Sequence, residues 1–184
     1  MIRLVTGPPS SGRSFLAEKL AEGLSCGELY YIATMKVMDE EGRQRVIKHR
    51  KEREGAGFVT LEIESDIEAA IKAMDKPQRS VALLECVANL VGNMMHDIPD
   101  LAALCRSGPE GEAGFAGAVT ERITALSHGV GELVAVTCEY EPGSLDDEDT
   151  RLYKKLLGLV NIKLRAVAEE IYDSRDPNVD GGRI

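Results

Sequence analysis

The chain has 184 residues, of which 43% are hydrophobic and 29% are charged, and this composition excludes long-range disorder and a collagen-like fibre. Acidic residues outnumber basic residues 31 to 22, for a formal net charge of −9, so we expect no nucleic-acid partner. No apolar run approaches the roughly 18 residues of a membrane span. The segment MIRLVTGPPSSGRS lacks the features of a signal peptide, and the four cysteines are scattered. We therefore expect a cytoplasmic protein with reduced thiols.

Short apolar runs alternate with helical patterns along the chain. The runs predict strands at residues 2–6, 29–33, 58–63, 81–84 and 133–137. The segments between and after them predict helices at residues 14–24, 39–53, 66–74, 87–95, 118–127 and 149–171, of which the second is highly charged. Asp39 is the predicted N-cap of the second helix. Residues 97–117 contain two prolines and four glycines, which predicts a mobile surface loop.

This alternation of strands and helices predicts the fold class. It is typical of an α/β protein whose mostly parallel central sheet is covered by helices on both faces, a three-layer sandwich. The sequence shows no internal repeat and no second core, so we expect a single domain over residues 1–173. Residues 174–184 are polar and glycine-rich, which predicts a frayed C-terminal tail.

The turn after the first predicted strand has the spacing of a phosphate-binding loop, GxxxxG followed by a basic residue and Ser or Thr. Its residues are Gly7, Pro8, Pro9, Ser10, Ser11, Gly12, Arg13 and Ser14. Glycines allow backbone N–H groups to curl around phosphate oxygens, and the N-terminus of the next helix adds partial positive charge. We therefore predict a P-loop that binds nucleotide phosphates, with the Ser14 hydroxyl on Mg²⁺. The alternative is a strand–turn–helix corner without a ligand.

Two residues modify this predicted phosphate site. Arg13 stands where the motif has lysine; it keeps the positive charge but is longer and planar, so phosphoryl transfer becomes an open question. Glu85 ends the apolar run of the fourth predicted strand, as the metal-organising acid does in P-loop proteins. We predict that Ser14 and Glu85 face one metal–phosphate site. Taken alone, an acid after a buried strand is more often a helix cap or a solvated loop residue.

The predicted helix at residues 39–53 is strongly basic in an acidic protein. Arg45, His49 and Arg53 are four residues apart, so they form one stripe with the imidazole between two guanidiniums. Guanidiniums bind phosphate bidentately, and nearby cations favour the neutral imidazole, which can attack phosphorus. The pattern indicates His49 as a nucleophile for nucleotidyl transfer. From composition alone, a solvated charged helix is the more common explanation.

Several short motifs occur in a recognisable order. They are LVTG at residues 4–7, YIAT at 31–34, RVIKHR at 45–50, LLEC at 83–86, GN at 92–93, VT at 136–137 with Glu139, and GLVN at 158–161. Over nearly its whole length the chain resembles the bifunctional adenosylcobinamide kinase / adenosylcobinamide-phosphate guanylyltransferase family of cobalamin biosynthesis. The resemblance implies a P-loop NTPase-like fold, phosphorylation of adenosylcobinamide, and transfer of GMP from GTP to adenosylcobinamide phosphate through a guanylylated histidine. It also implies Mg²⁺, GTP or ATP as the nucleotide, a corrinoid substrate and a homotrimer.

The resemblance further implies roles for individual residues. His49 occupies the position of the guanylylated histidine, residues 7–14 match the nucleotide loop, and Glu85 matches the acid that ends the central strand. The other implied contacts with guanine nucleotide are Thr34, Met35, Lys36, Arg50, Lys51, Glu52, Arg53 and Glu62.

Four departures from the family pattern leave other functions open. Arg13 replaces the loop lysine beside a stiff Pro8-Pro9 pair, Cys138 stands where asparagine is common, residues 140–149 are acidic, and residues 174–184 replace an apolar final strand. One alternative is a nucleotide-binding paralogue with impaired kinase chemistry that keeps guanylyl transfer alone or has no turnover. Another is a P-loop kinase for a different small hydroxylated substrate.

Overall fold

A computed structural model of the protein describes residues 1–24, 27–37, 40–52, 55–141 and 143–177. The side chains of Glu41, Arg45, Lys48, His49, Arg50 and Glu52 lie outside the described atoms. The strands are β1 (Ile2–Thr6), β2 (Leu29–Ala33), β3 (Phe58–Glu62), β4 (Val81–Glu85), β5 (Glu132–Val136) and β6 (Glu170–Asp173). The helices are α1 (Arg13–Gly23), α2 (Glu40–Glu52), α3 (Ala69–Ala73), α4 (Val87–Asp97), α5 (Pro99–Leu104), α6 (Pro109–Gly129) and α7 (Glu148–Val167). A 3₁₀ turn covers Pro77–Arg79.

The six described strands form one parallel sheet in the order β3-β2-β4-β5-β1-β6. β1 pairs with β5 on one side and with β6 on the other, so that Val5 faces Val136 and Thr6 faces Asp173. Parallel strands end at the same edge of a sheet, and ligands of open α/β sheets bind outside that edge. The turn after β1 and the carboxyl ends of β4 and β6 therefore lie on one side of the molecule.

Burial along the strands shows that helices cover both faces of the sheet. All of β1 and four of the five residues in each of β2, β4 and β5 are buried, as expected where neither face meets solvent. α1 packs against β1, β4 and β5, while α6 and α7 pack against each other and against β5 and β1. The predicted α/β, P-loop-like three-layer sandwich is confirmed. Within the described part of the chain, no helix combines the length and apolar character needed to span a membrane.

Residues 97–117 form helices, so the prediction of a mobile loop there is wrong. α5 begins at Pro99 and α6 at Pro109, positions at which a helix needs no N–H donor and a fixed φ is favourable. A Cβ on Gly111 would lie 2.1 Å from the carbonyl oxygen of Leu104, so glycine lets α6 approach the end of α5. The two prolines therefore mark the starts of α5 and α6, and Gly111 marks the close contact between these helices.

The C-terminal part of the fold also differs from the prediction. The helix predicted at residues 149–171 ends at Val167, and β6 follows as an edge strand on β1. β6 therefore forms an edge of the sheet directly before the polar segment that begins at Ser174. Instead of fraying, Ser174 donates its N–H to the carbonyl of Thr6 at 3.0 Å and shares a hydrogen bond of 2.6 Å with the hydroxyl of Ser11. The rest of the predicted tail, from residue 178 onward, and the predicted N-cap Asp39 lie outside the described residues.

Candidate nucleotide site

The turn between β1 and α1 has the backbone geometry of a close-approach loop. Gly7, Ser10 and Gly12 all have positive φ, at 152°, 60° and 81°. A Cβ on Gly7 would lie 2.0 Å from the Ser174 hydroxyl, so the contact with the segment after β6 requires glycine here. The first helical hydrogen bond of α1 runs from the N–H of Leu16 to the carbonyl of Gly12 at 3.0 Å. The backbone N–H groups that precede it stand at the loop, where they can bind an anion.

Ser14 and Glu85 meet beside this loop. The Ser14 hydroxyl donates a hydrogen bond of 2.9 Å to Oε1 of Glu85, joining the first turn of α1 to the last residue of β4. A hydroxyl and a carboxylate are hard oxygen ligands, and Mg²⁺ typically takes one or two such protein ligands together with phosphate oxygens. The two residues fit a magnesium–phosphate site, and the structure brings them together as predicted.

The guanidinium of Arg13 folds back over its own loop. Its Nη1 donates a hydrogen bond of 2.7 Å to the carbonyl of Pro8. Its Nε is buried and has no hydrogen-bond partner among the described atoms. The positive charge therefore lies at the loop, where it can attract phosphate, while one of its donors is already used by the backbone.

A cleft of about 650 Å³ opens beside Ser14 and Glu85. Arg13, Met35 and Lys36 also line it, so these predicted site residues share one cavity. On its rim the ammonium of Lys36 forms an ion pair of 2.9 Å with Asp97.

Buried hydrogen bonds fix the floor of the cleft. Thr34 is fully buried, and its hydroxyl accepts the N–H of Cys86 at 2.7 Å and donates to the carbonyl of Cys86 at 2.8 Å. The side-chain amide of Asn93 donates to the carbonyls of Thr34 at 2.8 Å and Glu64 at 2.7 Å. Thr34 therefore ties the carboxyl ends of β2 and β4 together, and its hydroxyl positions the segment that carries Glu85.

Cys86 lines the cleft, but its thiol is unreactive. Burial, reinforced by the charge of Glu85, raises the pKa of the Cys86 thiol to about 12. The thiol is protonated at neutral pH and is no nucleophile. Cys86, Cys105 and Cys138 are buried and are not in disulfide bonds.

Comparison with known proteins agrees with the sequence resemblance. The family described as cobinamide kinase / cobinamide phosphate guanyltransferase (CobU) matches residues 3–174. The chain belongs to this family. The bifunctional adenosylcobalamin biosynthesis protein CobU of Escherichia coli (strain K12) is 30% identical over 181 residues, and that of Salmonella typhimurium (strain LT2) is 29% identical. Each comparison covers 94% of this chain and 94% of the relative.

A solved structure, the flagellar accessory protein FlaH from Methanocaldococcus jannaschii, matches with a TM-score of 0.46 and 11% identity. The match spans 94% of this chain and 70% of the FlaH chain.

Two aromatic residues of this CobU-family chain were missed by the sequence analysis. Tyr140 and Tyr153 line the cleft, with ring centroids 6.1 Å apart and ring planes at 53°. The Tyr153 hydroxyl donates to the carbonyl of Ala88 at 3.1 Å. Burial raises the pKa of both phenols, so they form a neutral wall. Their sequence signal was weak, because Tyr140 begins the acidic segment at residues 140–149 and Tyr153 is followed by two lysines in a helix.

His96 also lines the cleft. His96 is at the end of α4, with its side chain about half exposed, and its Nε2 lies 3.3 Å from Asp149. Asp149 also pairs with Arg106 at 2.9 Å. This cluster ties α4 to the start of α7 at the rim.

The basic helix reaches the cleft at its first turn. Gly42 of α2 lines the cleft, and residue 49 follows two turns later, about 10 Å along the helix axis. Lys51 is exposed. The side chains of His49, Arg50 and Glu52, and all of Arg53, lie outside the described residues. Glu62 is exposed at the end of β3, on the same edge of the sheet as Glu85.

Proposed function

We propose that this chain is an active bifunctional enzyme of adenosylcobalamin biosynthesis, which phosphorylates adenosylcobinamide and then transfers GMP from GTP to adenosylcobinamide phosphate. Membership of the cobinamide kinase / cobinamide phosphate guanyltransferase family supports a role in adenosylcobalamin biosynthesis. The observation that carries the proposed chemistry is the contact of Ser14 with Glu85 between a glycine-turned loop and a cleft of about 650 Å³. Such a cleft suits part of a large corrinoid beside the phosphates of a nucleotide.

In the kinase step, the loop would bind the triphosphate of GTP or ATP through its backbone N–H groups and Arg13. The hydroxyl oxygen of the substrate attacks the γ-phosphorus, the bond between the γ-phosphorus and the bridging oxygen breaks, and the nucleoside diphosphate leaves. Ser14 and Glu85 would hold Mg²⁺, which when bound neutralises charge on the β- and γ-phosphate oxygens. The hydroxyl proton passes to solvent or to a carboxylate of the site.

In the guanylyl step, a ring nitrogen of His49 would attack the α-phosphorus of GTP, and diphosphate leaves as the nitrogen–phosphorus bond forms. A phosphate oxygen of adenosylcobinamide phosphate then attacks the same phosphorus, and the histidine is released. The place of residue 49 on α2, two turns from the cleft-lining Gly42, supports this role. Thr34, Met35, Lys36, Arg50, Lys51, Glu52, Arg53 and Glu62 are the proposed surroundings of the guanine nucleotide, in a homotrimer.

Intact-protein mass spectrometry after incubation with GTP and Mg²⁺ tests the proposal. We expect wild type to gain the mass of one GMP group through an acid-labile, alkali-stable bond. His49→Ala should lose this gain, whereas His128→Ala, which removes an exposed histidine of α6, should keep it. A wild-type protein whose mass does not change would overturn the transferase assignment.

A second candidate function is guanylyl transfer without kinase activity. The hydrogen bond from Arg13 to the Pro8 carbonyl favours it, because a guanidinium used by the loop has fewer donors for the γ-phosphate. Phosphorylation of adenosylcobinamide should then be slow in wild type and faster in Arg13→Lys. Rapid turnover by wild type would exclude this candidate.

A further inference from the structure

One face of α4 forms the floor of the cleft. The residues of this helix that line the cleft recur at helical spacing, and they are Ala88, Asn89, Gly92, Asn93, His96 and Asp97. Glu85, two residues before the helix begins, lies at one end of this floor, and Asp97 lies at the other. At the helical rise per residue, the floor is about 15 Å long. A ligand lying along α4 would therefore have one end at the pair formed by Ser14 and Glu85.

The floor lies between two walls, because β4 is between β2 and β5 in the sheet. On the β2 side, Asn93 of α4 donates to the carbonyl of Thr34, and this side carries guanine contacts proposed above. On the β5 side, Tyr153 of α7 donates to the carbonyl of Ala88, and Tyr140 lies beside it. The wall on the β5 side is aromatic and uncharged, so it suits an uncharged part of a ligand better than a phosphate.

Asn89 is a polar residue of the floor whose side chain is available to a ligand. It lies four residues beyond Glu85, is half-buried and lines the cleft. Among the residues that the structure describes, its side-chain amide makes no hydrogen bond, whereas the amide of Asn93 donates to two carbonyls. A primary amide has N–H donors and a carbonyl acceptor side by side, so it can pair with another amide through two hydrogen bonds.

The proposed acceptor presents such an amide close to its reactive group. Adenosylcobinamide carries its reactive hydroxyl on a 1-amino-2-propanol arm, whose nitrogen is joined to a side chain of the corrin as an amide. A single CH₂ group separates this nitrogen from the carbon that bears the hydroxyl. With the hydroxyl at Ser14 and Glu85, the amide lies within about 5.4 Å of them, one helical turn along the floor, where Asn89 stands.

We propose that Asn89 binds the amide of the acceptor's arm, with its Nδ2 donating to the amide carbonyl and its Oδ1 accepting the amide N–H. Tyr140 and Tyr153 would pack against the carbon atoms of the arm on the β5 side. This inference rests on the proposed function, and it makes Asn89 a residue that selects an acceptor whose hydroxyl is carried on an amide arm. An acceptor without the amide N–H should bind less well.

Equilibrium dialysis with two corrinoids tests this role. One is adenosylcobinamide, and the other is its analogue in which an ester oxygen replaces the N–H of the arm. The ester keeps the length of the arm but leaves Oδ1 of Asn89 facing an oxygen, so we expect wild type to bind it about tenfold more weakly. Asn89→Leu, whose side chain has a similar size and no amide, should bind the two corrinoids with affinities within about twofold of each other.

Further variants separate the amide from other effects of substitution. Gln78→Leu removes a side-chain amide that bonds to the His128 carbonyl before β4, at the opposite edge of the sheet, and should keep the preference of wild type. Tyr140→Ala should weaken binding of both corrinoids by the same factor, because the ring would contact carbon atoms that the two share. Leu145→Ala, which truncates an exposed leucine of the same loop outside the cleft lining, should change neither affinity.

Equal affinities of wild type for the two corrinoids would overturn the role of Asn89, and this comparison does not depend on the folding of a variant. A preference for the amide that survives in Asn89→Leu would overturn it as well. The gain of GMP by wild type on incubation with GTP, measured alongside, distinguishes this inference from the proposed function. A wild type that gains GMP but binds neither corrinoid contradicts the acceptor position alone, whereas one that does neither contradicts the proposed function itself.

Discussion

Thr34 and Cys86 exchange two hydrogen bonds through one buried hydroxyl, which accepts from the N–H of Cys86 and donates to its carbonyl. This pair joins β2 to the point where β4 turns into α4, directly after Glu85. A side chain within the YIAT segment at residues 31–34 therefore acts on the geometry of the site through the backbone. It follows that its removal should affect stability and activity together.

Thr34→Val tests this coupling. Valine keeps the shape of threonine but leaves the N–H of Cys86 unpaired in the interior, while the Cys86 carbonyl still accepts the N–H of Leu90. The loss should lower the free energy of unfolding by about 1–3 kcal/mol. Urea denaturation followed by circular dichroism measures the change. Thr124→Val is the matched control: its hydroxyl only back-bonds to the Thr120 carbonyl within α6, so we expect less than about 0.5 kcal/mol. Equal effects of the two substitutions would contradict the role of Thr34.

Ser14→Ala should weaken magnesium-dependent binding specifically. The variant removes one of the two proposed oxygen ligands, which meet at 2.9 Å, so affinity for GTP in the presence of Mg²⁺ should fall roughly tenfold, about 1.4 kcal/mol. Affinity for GTP in EDTA should change little, because the backbone N–H groups of the loop remain. Ser14→Thr keeps the hydroxyl and should restore most of the binding. A loss of the same size with and without Mg²⁺ would show that Ser14 acts on loop structure instead.

Arg13 should contribute to phosphate binding through its charge. Replacing it with methionine keeps an unbranched apolar side chain and removes the guanidinium, so we expect tripolyphosphate affinity to fall about tenfold, the lower end for a lost charged hydrogen bond. Arg13→Lys retains the charge and should bind within a few-fold of wild type. Titration calorimetry at two salt concentrations checks this, because the difference between Arg13→Met and wild type should shrink as salt rises. Unchanged affinity in Arg13→Met would mean that the guanidinium serves only the Pro8 carbonyl.

Local patterns in the sequence were sufficient to predict the core of the fold and the contact between Ser14 and Glu85 in the candidate site. β1 and β2 have the predicted bounds because short apolar runs next to glycine or polar segments can only be buried strands in such a protein. The contact between Ser14 and Glu85 was predictable because parallel strands place their carboxyl ends on a common edge of the sheet. Glu85 ends β4, and Ser14 lies in the first turn of the helix that follows β1.

The remaining features depend on contacts between distant parts of the chain. Thr34 bonds to Cys86 across 52 positions, Tyr153 to Ala88 across 65, and Ser11 to Ser174 across 163. Hydrophobic periodicity in the local sequence does not indicate which distant residues make such contacts. β6 was missed for a similar reason: its four residues are mixed in polarity, and pairing with β1 is what makes them a strand.

Acid should loosen the turn that follows β6. The Arg175 guanidinium hydrogen-bonds the Asp173 carboxylate and lowers its pKa from 3.8 to about 2. The folded state therefore binds this proton less readily than the unfolded chain, so the stabilisation is complete above pH 3.8 and is lost as the pH falls from there toward 2. Asp173→Asn should lower the free energy of unfolding by a constant amount near neutral pH, and its difference from wild type should shrink through that window. Denaturation curves at a series of pH values measure it. In an Arg175→Gln background the same substitution should have little effect, and a pH-independent difference in both backgrounds would contradict the ion pair as the cause.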